Sequence, residues 1–167
     1  MIVENLLSGV ALEQTVAMLK LKDTSTLVGL ASIRMDGNAQ IRSRASTPWF
    51  LRRISVNPYV NLLARDERFH DHLLADGRTR ISAALLRAGL EVVVTERGGE
   101  PLPTVWALVK RENLAGRRAF AQLAFHRHHR SEENQQDVVV RRAAKPLPPA
   151  PGREAYLPAE RSRTLSA

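Results

Sequence analysis

The sequence predicts an α+β fold, with helices packed on a small mixed sheet, and three observations lead to it. In residues 73–89, LLADGRTRISAALLRAG, an Asp76-Gly77 turn leads into Ile81, Ala84, Leu85 and Ala88, spaced i, i+3, i+4 and i+7 as on one face of a helix. Just upstream, residues 59–64 and 69–75 read as two β segments around the polar turn RDER, a hairpin. Downstream, the β-branched run of LEVVVTE reads as a further strand.

The remaining elements follow in order. Residues 1–32 mix periods: Val10, Val16, Ala17 and Leu21 favour a helix to about residue 22, and a strand is expected over 27–34. Thr47-Pro48 starts a short helix to about Ser55, because proline lacks only a donor that the first turn leaves unpaired. After the hairpin comes a helix from Thr79 to Ala88, with Gly89 as its cap. RGGEPLP is a loop, and TVWALVKREN opens a helix at Thr104 that breaks near Gly116. A second helix covers RRAFAQLAFHRHH. Five of the nine prolines lie after residue 140, so residues 131–167 are expected to form a proline-rich, disordered tail. The chain is thus divided into an N-terminal segment, 1–32, a central domain, 33–130, and this tail.

Composition narrows the chemistry. With no cysteine among 167 residues, thiolate catalysis and disulfides are excluded. The amino terminus carries Glu4 and Glu13 where a signal peptide needs positive charge, and no apolar run is long enough to span a bilayer; a cytoplasmic location without membrane contact is expected. The net charge of +8 is uneven: residues 1–76 hold 9 basic and 8 acidic side chains, residues 77–167 hold 16 and 9. Such asymmetry points to phosphate-bearing partners, with an acidic protein next.

Arg78 and Arg80 beside a helix entry suggest a phosphate cradle, since first-turn N–H groups and the helix dipole favour an anion there. The plainer reading is two solvated arginines beside an ordinary turn. Lys110, Arg111, Arg117, Arg118, Arg127 and Arg130 form a basic run suited to DNA phosphates, or simply a solvated helix face. His126, His128 and His129 lack a carboxylate partner and read as a polar helix end, and Asp66, Glu67, Asp71 and His72 are a weak metal-dependent nuclease cluster. Trp49, Phe50, Trp106 and Phe120 read as packing residues.

The segment DGRTRISAALLRAG resembles the arginine-rich second box of the ParB family, IRMDGNAQIR its first and ALVKRENLAGRR its third. The resemblance covers residues 33 to about 118 and implies a ParB/sulfiredoxin-like fold. It implies a nucleotide, CTP or ATP, held by Gln40, Arg42, Gly77, Arg78, Thr79 and Arg80, with Mg2+ served by Glu112 and Asn113. Triphosphate hydrolysis would be its activity. The role implied is in plasmid, phage or chromosome maintenance, on DNA bound without sequence specificity and with a homodimer allowed. The sequence departs from the box at Arg78, Thr79 and Ser82. The alternative is a non-enzymatic DNA- or protein-binding regulator on the same fold. A third reading rests on RENLAGRRAFAQLAF, which resembles the late Asn-to-Phe segment of GNAT-type acetyltransferases. It lacks their Gln/Arg-x-x-Gly-x-Gly loop and has Phe120 where they carry tyrosine.

Overall fold

The computed structural model describes residues 2–7, 14–20, 26–69, 72–74, 76–131, 135–143 and 146–150. Strands β1 (Ile2–Leu7), β2 (Gln14–Lys20), β3 (Leu27–Arg34), β4 (Tyr59–Arg65), β5 (Val105–Lys110), β6 (His126–Ser131) and β7 (Gln136–Arg141) join in one sheet, ordered β1-β2-β3-β4-β5-β7-β6. Neighbours are antiparallel except β4 and β5, which are parallel. The helices are α1 (Ala39–Ser43), α2 (Trp49–Ile54), α3 (Ile81–Glu96) and α4 (Leu114–Gln122).

Side-chain alternation along β5 shows why the sheet is covered on both faces. Val105, Ala107 and Val109 pack with Leu86, Leu90 and Val93 of α3 and with Phe120 and Leu123 at α4. Trp106 and Leu108 point the other way, into a cluster with Ile54, Ile41 and Leu51 of the α1–α2 layer. A strand buried on both faces reads as an unbroken apolar run, which VWALV is. Each fully buried Leu or Val contributes roughly 1.5–3 kcal/mol, an upper figure for a chain already partly collapsed when unfolded.

Several expectations are corrected. The sheet is not the small one around a 59–75 hairpin, and the fold is not ParB/sulfiredoxin-like: seven strands run through the chain, starting within residues 1–32, where β1 and β2 replace the expected helix. Of the hairpin, β4 forms among the described residues; a 3-10 turn, Glu67–Phe69, follows, and Leu73 makes an isolated bridge to Arg80, while residues 70, 71 and 75 lie outside the described residues. LEVVVTE belongs to α3, because Leu86, Leu90 and Val93 share the face that lies on the sheet, and tertiary burial outweighs the β preference of valine. Gly89 caps nothing: a Cβ there would stand 3.2 Å from Ile33 Cδ1, so the glycine lets α3 lie close on β3.

TVWALVK is strand β5 rather than a helix, and the expected helix over RRAFAQLAFHRHH ends at Gln122. Ala124, at φ 61°, turns the chain into β6, so the histidines sit on a strand. β7 falls within the stretch expected to be tail, and its Val138, Val139 and Val140 are buried. Residues 151–167 lie outside the described residues.

Candidate active-site cleft

β4 and β5 meet at a single registered pair, Tyr59 with Trp106, and diverge beyond it. The apex is locked: Trp106 N donates to Pro58 O (3.0 Å), its Nε1 donates to Asn57 O (3.1 Å), and the two rings lie 4.5 Å apart. Burial raises the Tyr59 phenol above its ordinary pKa, with Asn38 working the other way, so it stays neutral. Past the apex each strand stays with its outer neighbour: β4 holds β3 as far as Arg65 with Gly29, and β5 holds β7 as far as Lys110 with Gln136. A wedge therefore opens between two parallel strands toward their carboxyl ends.

The wedge is a cleft of about 510 Å³. Val60, Leu63, Val109 and Phe120 make its depth apolar; Asn61 and Ala64 on β4 line one wall and Leu108 on β5 the other; Arg65, Glu67, Lys110 and Gln136 stand at its polar rim. Arg65 Nη1 donates to the buried Ser82 Oγ (2.8 Å), which ties the end of β4 to the first turn of α3. Asn113 Oδ1 accepts from Gly116 N (2.8 Å) and caps α4 where the chain leaves β5. The starts of α3 and α4 thus border the mouth, bringing the positive ends of their dipoles to it. Beyond Tyr59 no strand of the described residues pairs with the cleft-facing edge of β4, which leaves main-chain donors and acceptors for an extended ligand.

The residues that the ParB resemblance singled out do not converge. Gln40 and Arg42 are exposed on α1, whose Ile41 packs into the α1–α2 layer, and Arg42 Nη1 donates to Asp36 O. Gly77, Arg78, Thr79 and Arg80 lead into α3, which covers the opposite face. The negative group at that turn is the chain's own: Asp76 accepts from Arg78 N (2.8 Å), Thr79 N (2.8 Å) and Thr79 Oγ1 (2.5 Å). Gln122 of α4 closes the rest, accepting from Arg80 N (3.4 Å) and donating to Arg78 O (3.1 Å).

The donors expected for Mg2+ are not arranged for a metal. Asn113 Oδ1 is committed to its cap and Glu112 is exposed, 3.9 Å from Lys110. Among the described residues no three His, Asp or Glu groups stand close enough to hold a metal ion. Asp66 pairs with Arg68, and Asp71 of the nuclease cluster lies outside the described residues. His128 and His129 pack against Phe50. Of the residues expected at DNA, Lys110 lines the cleft, and Arg111, Arg117 and Arg130 gather around Asp137 rather than forming one helical stripe.

Asn113 and Phe120, which line the cleft, stand in the GNAT-like segment, but the sequence assigned Asn113 to Mg2+ and Phe120 to packing. Asn61, Ala64, Leu108 and Ser82 carry no signal in the linear sequence, since only the divergence of two strands 40 residues apart makes them neighbours.

The crevice lies at the carboxyl ends of the two parallel strands, apolar within and with Arg65, Glu67, Lys110 and Gln136 at its rim. No family model and no curated protein matches the chain. Among solved structures it is similar to the NatC complex bound to Gag peptide and CoA, at 17% identity over 76% of this chain and 67% of that one, TM-score 0.46. It is similar to Arabidopsis thaliana NAA60 in complex with a bisubstrate analogue, at 16% identity over 77% and 75%, TM-score 0.49. It is also similar to a chain described as a GnaT-family acetyltransferase from Bordetella pertussis, at 18% over 76% and 63%, TM-score 0.48. The ParB-like reading with its nucleotide, Mg2+ and DNA is overturned by the seven-stranded sheet and by the dispersal of the residues it needed. All three scores lie below 0.5; the chemistry of the cleft is read from its own residues.

Proposed function

We propose that the chain is an acyltransferase of the GNAT type that binds an acyl-coenzyme A in the cleft between β4 and β5. One observation carries this: β4 and β5 pair once, at Tyr59 with Trp106, and then part to expose a strand edge. A pantetheine arm is slim, carries amides that such an edge can bond, and joins a thioester to phosphates. The cleft has the same gradient, apolar at Val60, Val109 and Phe120 and basic at Arg65 and Lys110.

The reaction that fits is transfer of the acyl group to an amine. The amine nitrogen attacks the thioester carbonyl, the C–N bond forms and the C–S bond breaks; the nitrogen loses a proton and the departing thiolate gains one. Tyr59, the tyrosine of the described residues, is buried at the apex, and Phe120 offers no hydroxyl, so this reading gives thiolate protonation to water. No helix of the described residues is long and apolar enough to cross a membrane; the cytoplasmic location expected from the amino terminus belongs to this proposal.

Calorimetric titration with acetyl-CoA tests it. Saturable binding is expected, with stabilisation of about 2.7 kcal/mol at 100 times the dissociation constant. Asn61 is exposed on the cleft wall, so Asn61→Trp is expected to fold normally and bind at least ~10-fold more weakly, about 1.4 kcal/mol. A wild-type protein that takes up no acetyl-CoA, or equal binding by the variant, would sink the reading.

A further inference from the structure

Next to the cleft, and sharing Phe120 with it, lies a second pocket of about 360 Å³, between α4 and strands β6 and β7. Arg117 and Arg118 of α4 and Arg127 of β6 line it, together with the apolar Leu114 and Phe125. Its one carboxylate among the described residues is Asp137, 1% exposed.

Asp137 does not satisfy this charge. It approaches three guanidinium groups, each through Nε: Arg111 at 3.8 Å, Arg117 at 3.7 Å and Arg130 at 3.9 Å. Those distances are ion pairs without hydrogen bonds, and Asp137 Oδ1 has no hydrogen-bond partner. Arg111 and Arg130 do not line the pocket, and Arg117 meets Asp137 through Nε while its Nη1 donates to Arg111 O (3.5 Å). The side chains of Arg118 and Arg127 are exposed and enter no hydrogen bond or ion pair among the described residues. Three cations converging on a concave surface repel one another unless an anion joins them, and a guanidinium fork meets phosphate oxygens in pairs.

We propose that this pocket binds a small organic phosphomonoester, its dianion held by Arg117, Arg118 and Arg127 and its apolar part resting on Leu114 and Phe125. Asp137 is a positioning residue that orients Arg117 from within. A phosphomonoester fits better than a carboxylate because it brings a second charge and a third oxygen to three convergent forks. The pocket is also too large and too apolar for a bare inorganic ion. The site does not depend on the acyl-CoA reading of the cleft.

The experiment is calorimetric titration of the full chain with phenyl phosphate and with benzoate at constant ionic strength, in wild type and in Arg118→Gln/Arg127→Gln. Both replaced residues are exposed, so the variant is expected to keep its melting temperature and its acetyl-CoA titration. The expected result is saturable binding of phenyl phosphate, at least tenfold weaker in the variant, and weaker binding of benzoate. Absence of saturation, equal binding by the variant, equal binding of benzoate, or displacement of phenyl phosphate by acetyl-pantetheine, which carries no phosphate, would each overturn the proposal. The last outcome would move the anion to the cleft and leave the cleft reading intact.

Discussion

Asp76 shows how a residue can answer a question that its neighbours raise. Arg78 and Arg80 draw the eye to an anion at the entry of α3, and the anion present is a carboxylate two residues upstream, holding Arg78 N, Thr79 N and Thr79 Oγ1. An Asx turn is visible in the linear pattern Asp-Gly-x-Thr only if the turn is weighed as heavily as the arginines. Asp76→Ala is expected to cost about 1 kcal/mol, as loss of a cap does, and urea unfolding measures it. Asp76→Asn should recover part of this, because an amide oxygen still accepts. A second carboxylate sets a pH dependence. Arg34 donates to both oxygens of Asp36 (3.0 and 2.7 Å), and this bond holds the Asp36 carboxyl below its ordinary pKa, burial opposing. A depressed folded-state pKa means stability that is complete above the unfolded value, roughly 3.9, and lost as pH falls through the folded one. Because the pair is about one-third exposed, the loss is expected to be at most about 1 kcal/mol. Asp36→Asn should flatten that acid limb in unfolding measured between about pH 5 and pH 2.

Elements were legible in the sequence where one face decided them. β3 reads as a strand over 27–34 because Val28, Ala31 and Ile33 are buried against α3 and its neighbours, and the structure gives it those bounds. α2, entered from Pro48, and β4 were legible for the same local reasons. β6 was not: HRHHRS has no apolar alternation because it is an edge strand, and exposed charge on an edge discourages pairing with another chain. α3 was read too short for the opposite reason, since its Val92 and Val93 are helical only because the sheet buries them. The α1–α2 layer depends on one backbone position. Gly37, at φ 76°, lies where a Cβ would stand 2.0 Å from Ser55 O, the carbonyl that accepts from Asn38 N (2.8 Å) and joins the start of α1 to the end of α2. Gly37→Ala is therefore expected to destabilise by more than about 1 kcal/mol, from a strained φ and a displaced backbone together. Chemical denaturation measures the loss, and near-ultraviolet circular dichroism of the buried Trp106 beneath α2 should report loosening of that layer.

At the scale of the molecule, that helices pack on a mixed sheet was open to reading, but the ParB/sulfiredoxin-like fold expected from it was wrong, and the order of strands was not legible. Local patterns cannot say that β7 inserts between β5 and β6, or that the sole parallel contact joins strands separated by α3. The apex formed by Tyr59 and Trp106 also has a mechanical consequence. The sheet is two leaves stitched at one point: β1 to β4 form one antiparallel ladder with α3 lying on it, and β5 to β7 form another. The chain passes from one leaf to the other once, through Gly98 and Gly99, exposed and facing open space. A cut there severs no ladder, while Leu86, Leu90 and Val93 on one piece still need Val105, Ala107 and Val109 on the other. Fragments 1–98 and 99–167, expressed together, are expected to associate and copurify as a stoichiometric pair, whereas fragment 1–98 alone should aggregate through its uncovered apolar face. Failure to associate would mean that the covalent link, rather than the shared core, holds the leaves at the angle that keeps the cleft open.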